Sequence, residues 1–113
     1  MSSVALSSGV ELFAELDPHM QLTTMLTFLF IAQRSEVSQK TIETHLGFSN
    51  AAASRNVSYW SDLKKYGVPG QGFVERFENP TDRREKLIRL TDRGQAFYDR
   101  VCSHMHKAKL AIL

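Results

Sequence analysis

The stretch Ser49–Tyr66, SNAAASRNVSYWSDLKKY, restricts the fold of this 113-residue chain more than any other. It reads as one helix. At about 100° of rotation per residue, Ala53, Val57 and Trp60 share one side, with Ala52 and Leu63 flanking them. Ala51, Ser54, Arg55, Ser58, Asp62 and Lys65 share the other. The inner side needs a core to cover it. The outer side carries little bulk in its first half, and Arg55 projects from it among small hydroxyl residues. Such a face can approach a phosphate-lined groove, where Arg forks onto guanine and Ser or Asn bonds phosphate or base edges. An ordinary amphipathic helix with a small solvated face has the same pattern, so the flanks decide.

Length allows one domain, 1–113, with a real core and room for a partner chain. A hydrophobic fraction of 42% and a charged fraction of 23% fit a folded chain rather than a disordered one. The net charge of +2 says little by itself, but its distribution is uneven. Residues 1–33 hold three acidic groups and no Lys or Arg, while residues 34–93 hold eleven basic against eight acidic groups. Positive charge begins where the candidate binding module begins. A single cysteine, Cys102, excludes an internal disulfide and fits a reducing compartment. The most apolar run, Leu22–Ala32, is too short to span a bilayer, and no leader is evident. The expectation is a cytoplasmic chain with no membrane partner.

In chain order, the Ser-rich Met1–Gly9 is expected to fray and Val10–Leu16 to form a short helix. Asp17-Pro18 reads as a helix start, leading into an apolar helix to about Arg34 that includes Leu22, Met25, Leu26, Leu29 and Phe30. Apolar on more than one face, it is expected at the centre of the core. Ser38 caps a second short helix, Gln39–Leu46, which Gly47 ends. Phe48 plugs the turn, and Ser49 or Asn50 caps the central helix. Helix, glycine turn and a helix with a small outer face make a helix-turn-helix, 38–66. The glycine- and proline-containing run from Tyr66 to Gly72 stops the helix. Phe73–Glu78 and Lys86–Thr91 read as strands, the second with Ile88 and Leu90 on one face, around a charged tip at Asn79–Glu85. Thr91 caps a last helix with a stripe of Phe97, Val101, His104 and Ala108, ending in an apolar Leu110–Leu113 that is expected to pack on another subunit or the N-terminal helix. The fold class is therefore mainly α with a small β-hairpin (α+β): a winged helix-turn-helix, its wing at 73–91.

At the hairpin tip, Asp82-Arg83-Arg84 sets two guanidinium groups where a wing can lie along a minor groove, whose negative potential attracts Arg. Asp82 would hold an arginine in one orientation. An isolated triplet of this kind is usually a solvated turn; its position after a helix-turn-helix favours the groove. Gly72-Phe73-Val74-Glu75-Arg76, then Asp82-Arg83-Arg84, then Leu87 to Thr91 and Gly94, resembles the wing of the MarR family of bacterial transcription regulators. Ser54-Arg55 is similar to the Ser-Arg of that family's recognition helix. The resemblance covers about residues 20–100. It implies that Ser54 and Arg55 contact the major groove, that Arg84 supported by Asp82 reaches the minor groove, and that Arg83 serves phosphate. Three departures stand out. Gly67 and Gly72 bracket an extra Val-Pro-Gly-Gln before the wing, the N-terminal helix is short, and the C-terminal region is truncated. The family dimerises through those ends, so a homodimer through 1–16 and 95–113 is expected, while the shortened ends speak against a small-molecule effector pocket.

The reading is a sequence-specific regulator that binds double-stranded DNA, a dimeric repressor, with candidate contacts at Ser38, Ser49, Asn50, Ser54, Arg55, Ser58, Asp82, Arg83 and Arg84. Two others are kept beside it: a winged-helix protein-interaction adaptor of phage or plasmid type, and a DNA-binding replication or partition factor. No cofactor is implied. No catalytic constellation is recognisable, so an enzyme is not expected. His104 and His106 point to different helix faces and do not make a metal pair. Cys102 near Arg100 could sense oxidants, although a lone cysteine on a partly apolar helix is more often packing.

Overall fold

The computed structural model describes residues 3–65 and 67–111. Among the described residues, five helices and two small sheets follow one another as α1 Ser3–Leu16, α2 Leu22–Ala32, β1 Val37–Ser38, α3 Gln39–Leu46, α4 Asn50–Trp60, β2 Leu63–Lys65, β3 Val68–Pro69, β4 Val74–Asn79, β5 Asp82–Leu90 and α5 Asp92–Ala111. The main sheet runs β1-β5-β4, antiparallel throughout, and β2 and β3 make a separate two-stranded ribbon. Among the described residues, no helix is long and apolar enough to cross a membrane.

Aromatic side chains build the core. Phe13 from α1, Phe28 from α2, Trp60 from α4, Phe97 from α5 and Phe73 before β4 are all buried. Their rings meet mostly edge to face, at centroid separations such as 5.2 Å for Phe13–Phe97 and 5.5 Å for Phe28–Phe97. Trp60 stacks on Phe73 at 5.7 Å and donates its Nε1–H to the Thr24 carbonyl at 2.8 Å. The indole thus buries its apolar body with its one polar group satisfied. Val57 and Ala53, one and two turns earlier, are fully buried beneath α4, as the helical spacing requires.

Several sequence expectations change at the ends of elements. α1 begins at Ser3 instead of Val10, because Ala5, Gly9, Leu12 and Phe13 form one continuous buried stripe against α5. Met1 and Ser2 of the segment expected to fray lie outside the described residues. Asp17-Pro18 does not start α2. Its carboxylate caps a turn instead, accepting from the His19 N–H at 3.0 Å, and α2 starts four residues further on after Gln21. Nor is α2 central on every side: Phe28 and Ile31 are fully buried, but Leu22 is 68% and Leu26 41% exposed. Two buried positions go instead to Thr24 and Thr27, whose hydroxyls donate to Asn56 Oδ1 and the Thr23 carbonyl.

The helix-turn-helix closes as expected. Ser38 and Ser49 cap α3 and α4 by accepting from the Thr41 and Ala52 N–H groups, each at 3.1 Å. Gly47 takes the left-handed conformation at φ 71° that turns one helix into the next. The central helix, however, stops at Trp60 and does not reach Tyr66, which lies outside the described residues. Ser61 turns extended, and its hydroxyl donates to the Ser58 and Leu63 carbonyls. The chain then folds back. N–H groups of Gly70, Gln71, Gly72 and Phe73 donate to the carbonyls of Asp62, Tyr59, Ser61 and Trp60, at 2.7–3.1 Å. Carbonyls at a helix end need such partners. Gly70 passes so close beneath α4 that a Cβ there would collide with the Ser61 carbonyl oxygen.

In the last helix, Phe97 and Val101 are buried, but His104 is not part of the stripe. It is exposed, its Nδ1 lies 3.0 Å from the Arg100 carbonyl, and Met105 packs against the core instead. Ile112 and Leu113 of the apolar end lie outside the described residues. Strand β5 buries both Leu87 and Ile88 rather than Ile88 and Leu90 alone, because it is the middle strand and meets α2, α3 and α5 at its base. Trp60 is expected to be the costliest single core position. Trp60→Ala should lower stability by about 3–5 kcal/mol in urea unfolding, combining a large cavity with loss of the indole's hydrogen bond to the Thr24 carbonyl.

Candidate nucleic-acid interface

The wing is a hairpin with a two-residue tip, Pro80-Thr81, closed by Asn79 Oδ1, which accepts from both the N–H and the hydroxyl of Thr81. Asp82, Arg83 and Arg84 therefore stand at the start of β5 and not in a long loop. Asp82 Oδ1 accepts from Arg84 N–H at 3.1 Å and lies 3.4 Å from Arg84 Nε. The Arg84 side chain is otherwise 94% exposed, so the pair orients the guanidinium and leaves its donors open. Arg83 is exposed beside it.

Four of the expected contact residues, Ser38, Asn50, Asp82 and Arg84, line one cleft of about 600 Å³ between α3 and the wing. Lys40 and Lys86 line it too. The sheet explains the convergence, since β1 pairs Val37 with Ile88 and Ser38 with Leu87, tying the start of α3 to the wing. Glu43 holds the cleft wall. Its Oε2 accepts from Asn50 Nδ2 at 3.2 Å and from Gln39 Nε2 at 3.4 Å. The Asn50 amide is thus oriented by a carboxylate, a partner that sequence spacing alone did not suggest.

Arg55 is exposed on α4 and lines a second cleft, of about 400 Å³, on the α2 side of the helix. Asp17, His19, Tyr59 and Lys64 share that cleft. The Tyr59 hydroxyl donates to Asp17 Oδ2 at 3.0 Å. The His19 backbone N–H and this hydroxyl hold the Asp17 carboxyl below its usual range, while burial, aided by the nearby carboxylate, raises the Tyr59 phenol.

Ser54 and Ser58 meet a residue that sequence reasoning treated only as part of the wing. Arg76 Nη2 donates to the Ser54 carbonyl at 3.0 Å and to Ser58 Oγ at 3.1 Å, bridging β4 to α4. Ser58 is therefore engaged within the chain. The signal was its place in β4, three residues after the backbone of residues 70–73 returns beneath α4. Next to it, the cross-strand pair Glu75–Arg89 closes at 2.7 Å, with the Arg89 guanidinium 4.1 Å above the Phe77 ring.

A helix-turn-helix followed by a two-stranded wing defines a winged helix. No family model and no curated protein matches the chain by sequence. Solved structures do match its fold. RV1404 from Mycobacterium tuberculosis is 23% identical with a TM-score of 0.77, over 96% of this chain and 68% of that one. YusO from Bacillus subtilis is 13% identical with a TM-score of 0.70, over 96% and 70%. MarR from E. coli, solved in complex with operator DNA, is 20% identical with a TM-score of 0.64, over 91% and 72%. The chain has the winged-helix fold of the MarR-type transcriptional regulators.

The Arg76 bridge has a measurable consequence. Arg76→Met should cost about 1 kcal/mol of stability in urea unfolding, because its hydrogen bonds lie at the surface. Amide exchange in β4 should quicken more than exchange in α2, which the bridge does not touch.

Proposed function

We propose that this protein is a sequence-specific regulator that binds double-stranded DNA in the cytoplasm and represses by occupying a promoter. The observation that carries the reading is the cleft where the start of α3, the start of α4 and the wing pair Asp82–Arg84 converge. α4 enters the major groove with Ser54 and Arg55 forward. Arg55 reads base edges, and Ser38, Ser49 and Asn50 meet phosphates around the helix starts. Arg84 lies along the minor groove, with Arg83 on its phosphates. The complex of MarR with operator DNA supports DNA as the partner by analogy of fold.

The active form in this reading is a homodimer joined through α1 and α5. Val4, Leu6 and Val10 on α1 and Leu110 on α5 leave apolar surface exposed at those ends. Two recognition helices would then read half-sites one helical turn apart, roughly 34 Å.

Selection of bound duplexes from a randomised library tests the reading. The expected product is an enriched inverted repeat; a library that stays random would overturn it. On the enriched site, Arg55→Ala should cost ~1–3 kcal/mol and relax base preference at one position in each half. Arg84→Ala should weaken binding and lower the salt slope by roughly one ion. Equal binding by both variants and the wild type would show that these roles are misassigned.

A further inference from the structure

The β2–β3 ribbon is the part of the fold that the DNA-binding reading leaves without a task. We propose that it presents Lys64 as an additional phosphate contact, to the DNA strand that passes along the α2 side of the recognition helix. This rests on the proposed function and extends it to the segment between helix and wing.

Groove dimensions make the first argument. An α-helix with its side chains is about 10–12 Å across, and the B-DNA major groove is about 12 Å wide. A helix seated there brings a phosphate strand to each of its flanks. On one flank of α4 lies the cleft with Ser38, Asn50, Lys40, Lys86 and Arg84. On the other lies the cleft between the start of α2, α4 and β2, which Arg55 and Lys64 both line. If Arg55 faces the groove, Lys64 stands beside it at the rim.

Lys64 sits at the irregularity of the ribbon, between two paired neighbours: Leu63 pairs with Pro69 and Lys65 with Val68. The segment after β3 is bound to the end of α4 by the backbone N–H groups of residues 70–73. Lys64 Nζ sits 5.2 Å from the centroid of the Tyr59 ring, and Tyr59 is itself held by Asp17. An ammonium held on an aromatic face loses less freedom when it meets an anion.

Charge favours the same occupant. The charged and titratable groups lining the cleft are Arg55, Lys64, His19, Tyr59 and Asp17. Asp17 opposes an anion, but both of its oxygens already accept hydrogen bonds, one from His19 N–H and one from the Tyr59 hydroxyl. The two cations at the open side suit a phosphodiester.

The test uses the full chain and the duplex enriched in the selection, with affinity measured from about 50 to about 200 mM salt. Lys64→Ala should bind several-fold more weakly at low salt and lower the slope by roughly one ion, with base preference unchanged. Lys64→Arg should restore both. Lys65→Ala should behave as wild type, because Lys65 does not line the cleft. Wild-type affinity and slope in Lys64→Ala would overturn the inference and leave the DNA reading intact. Equal loss in Lys65→Ala would overturn it too, since general charge would then be the cause. A wild-type chain that binds no duplex would remove both readings together.

Discussion

Trp60 is the point on which the arrangement depends. Its ring touches Phe13, Phe28, Tyr59 and Phe73, so α1, α2, α4 and the approach to the wing all meet one side chain. Its indole N–H is bonded to the Thr24 carbonyl, and its own carbonyl accepts from Phe73 N–H at 2.7 Å. Aromatic contacts supply area without direction, whereas these two hydrogen bonds fix rotation and depth. The exposed face of α4 points where it does because the buried face is locked by this residue.

From that anchor the helix and the wing behave as one body. Phe73 packs on Trp60 and leads directly into β4, Arg76 reaches back to Ser54 and Ser58, and β5 ties to the start of α3 through β1. With a net charge of only +2, the chain has little unspecific attraction for a polyanion. In the proposed role, selectivity has to come from the placement of a few cations, and the rigid connection between α4 and the wing supplies that placement.

How much was legible in the sequence follows the range of the interactions. Ala53, Val57 and Trp60 declare their common face by local spacing, and Ser38, Gly47 and Ser49 declare their turns by their own chemistry. The order of helices and wing followed from these. The end of α4 did not, because Leu63 stands three residues after Trp60, at helical spacing, and a three-residue strand has too little pattern to compete. What breaks the helix is the return of residues 70–73 onto its carbonyls, a contact that periodicity cannot register. Of the contact residues, Arg55 and the Asp82–Arg84 pair lie exposed as the pattern suggested. Ser58 and Asn50 instead have partners, Arg76 and Glu43, that lie eighteen and seven residues away. The roles of all of these on DNA stand as proposals.

The fastening of the β2–β3 ribbon bears on how this fold can diversify. Four main-chain bonds fasten the segment after it to the end of α4, and main-chain bonds are indifferent to most side chains; glycine is demanded at Gly70 by the lack of space and at Gly67 and Gly72 by their positive φ. The exposed positions Leu63, Lys64, Lys65 and Pro69 are therefore a site where substitution can accumulate while the angle between helix and wing stays put. A lineage could alter the chemistry carried there, or an engineer could graft onto it, without re-solving the core. Of the extra residues that look like a disturbance of the pattern, Gly70 and Gln71 are, mechanically, the fastening, and the ribbon before them is an interchangeable fitting.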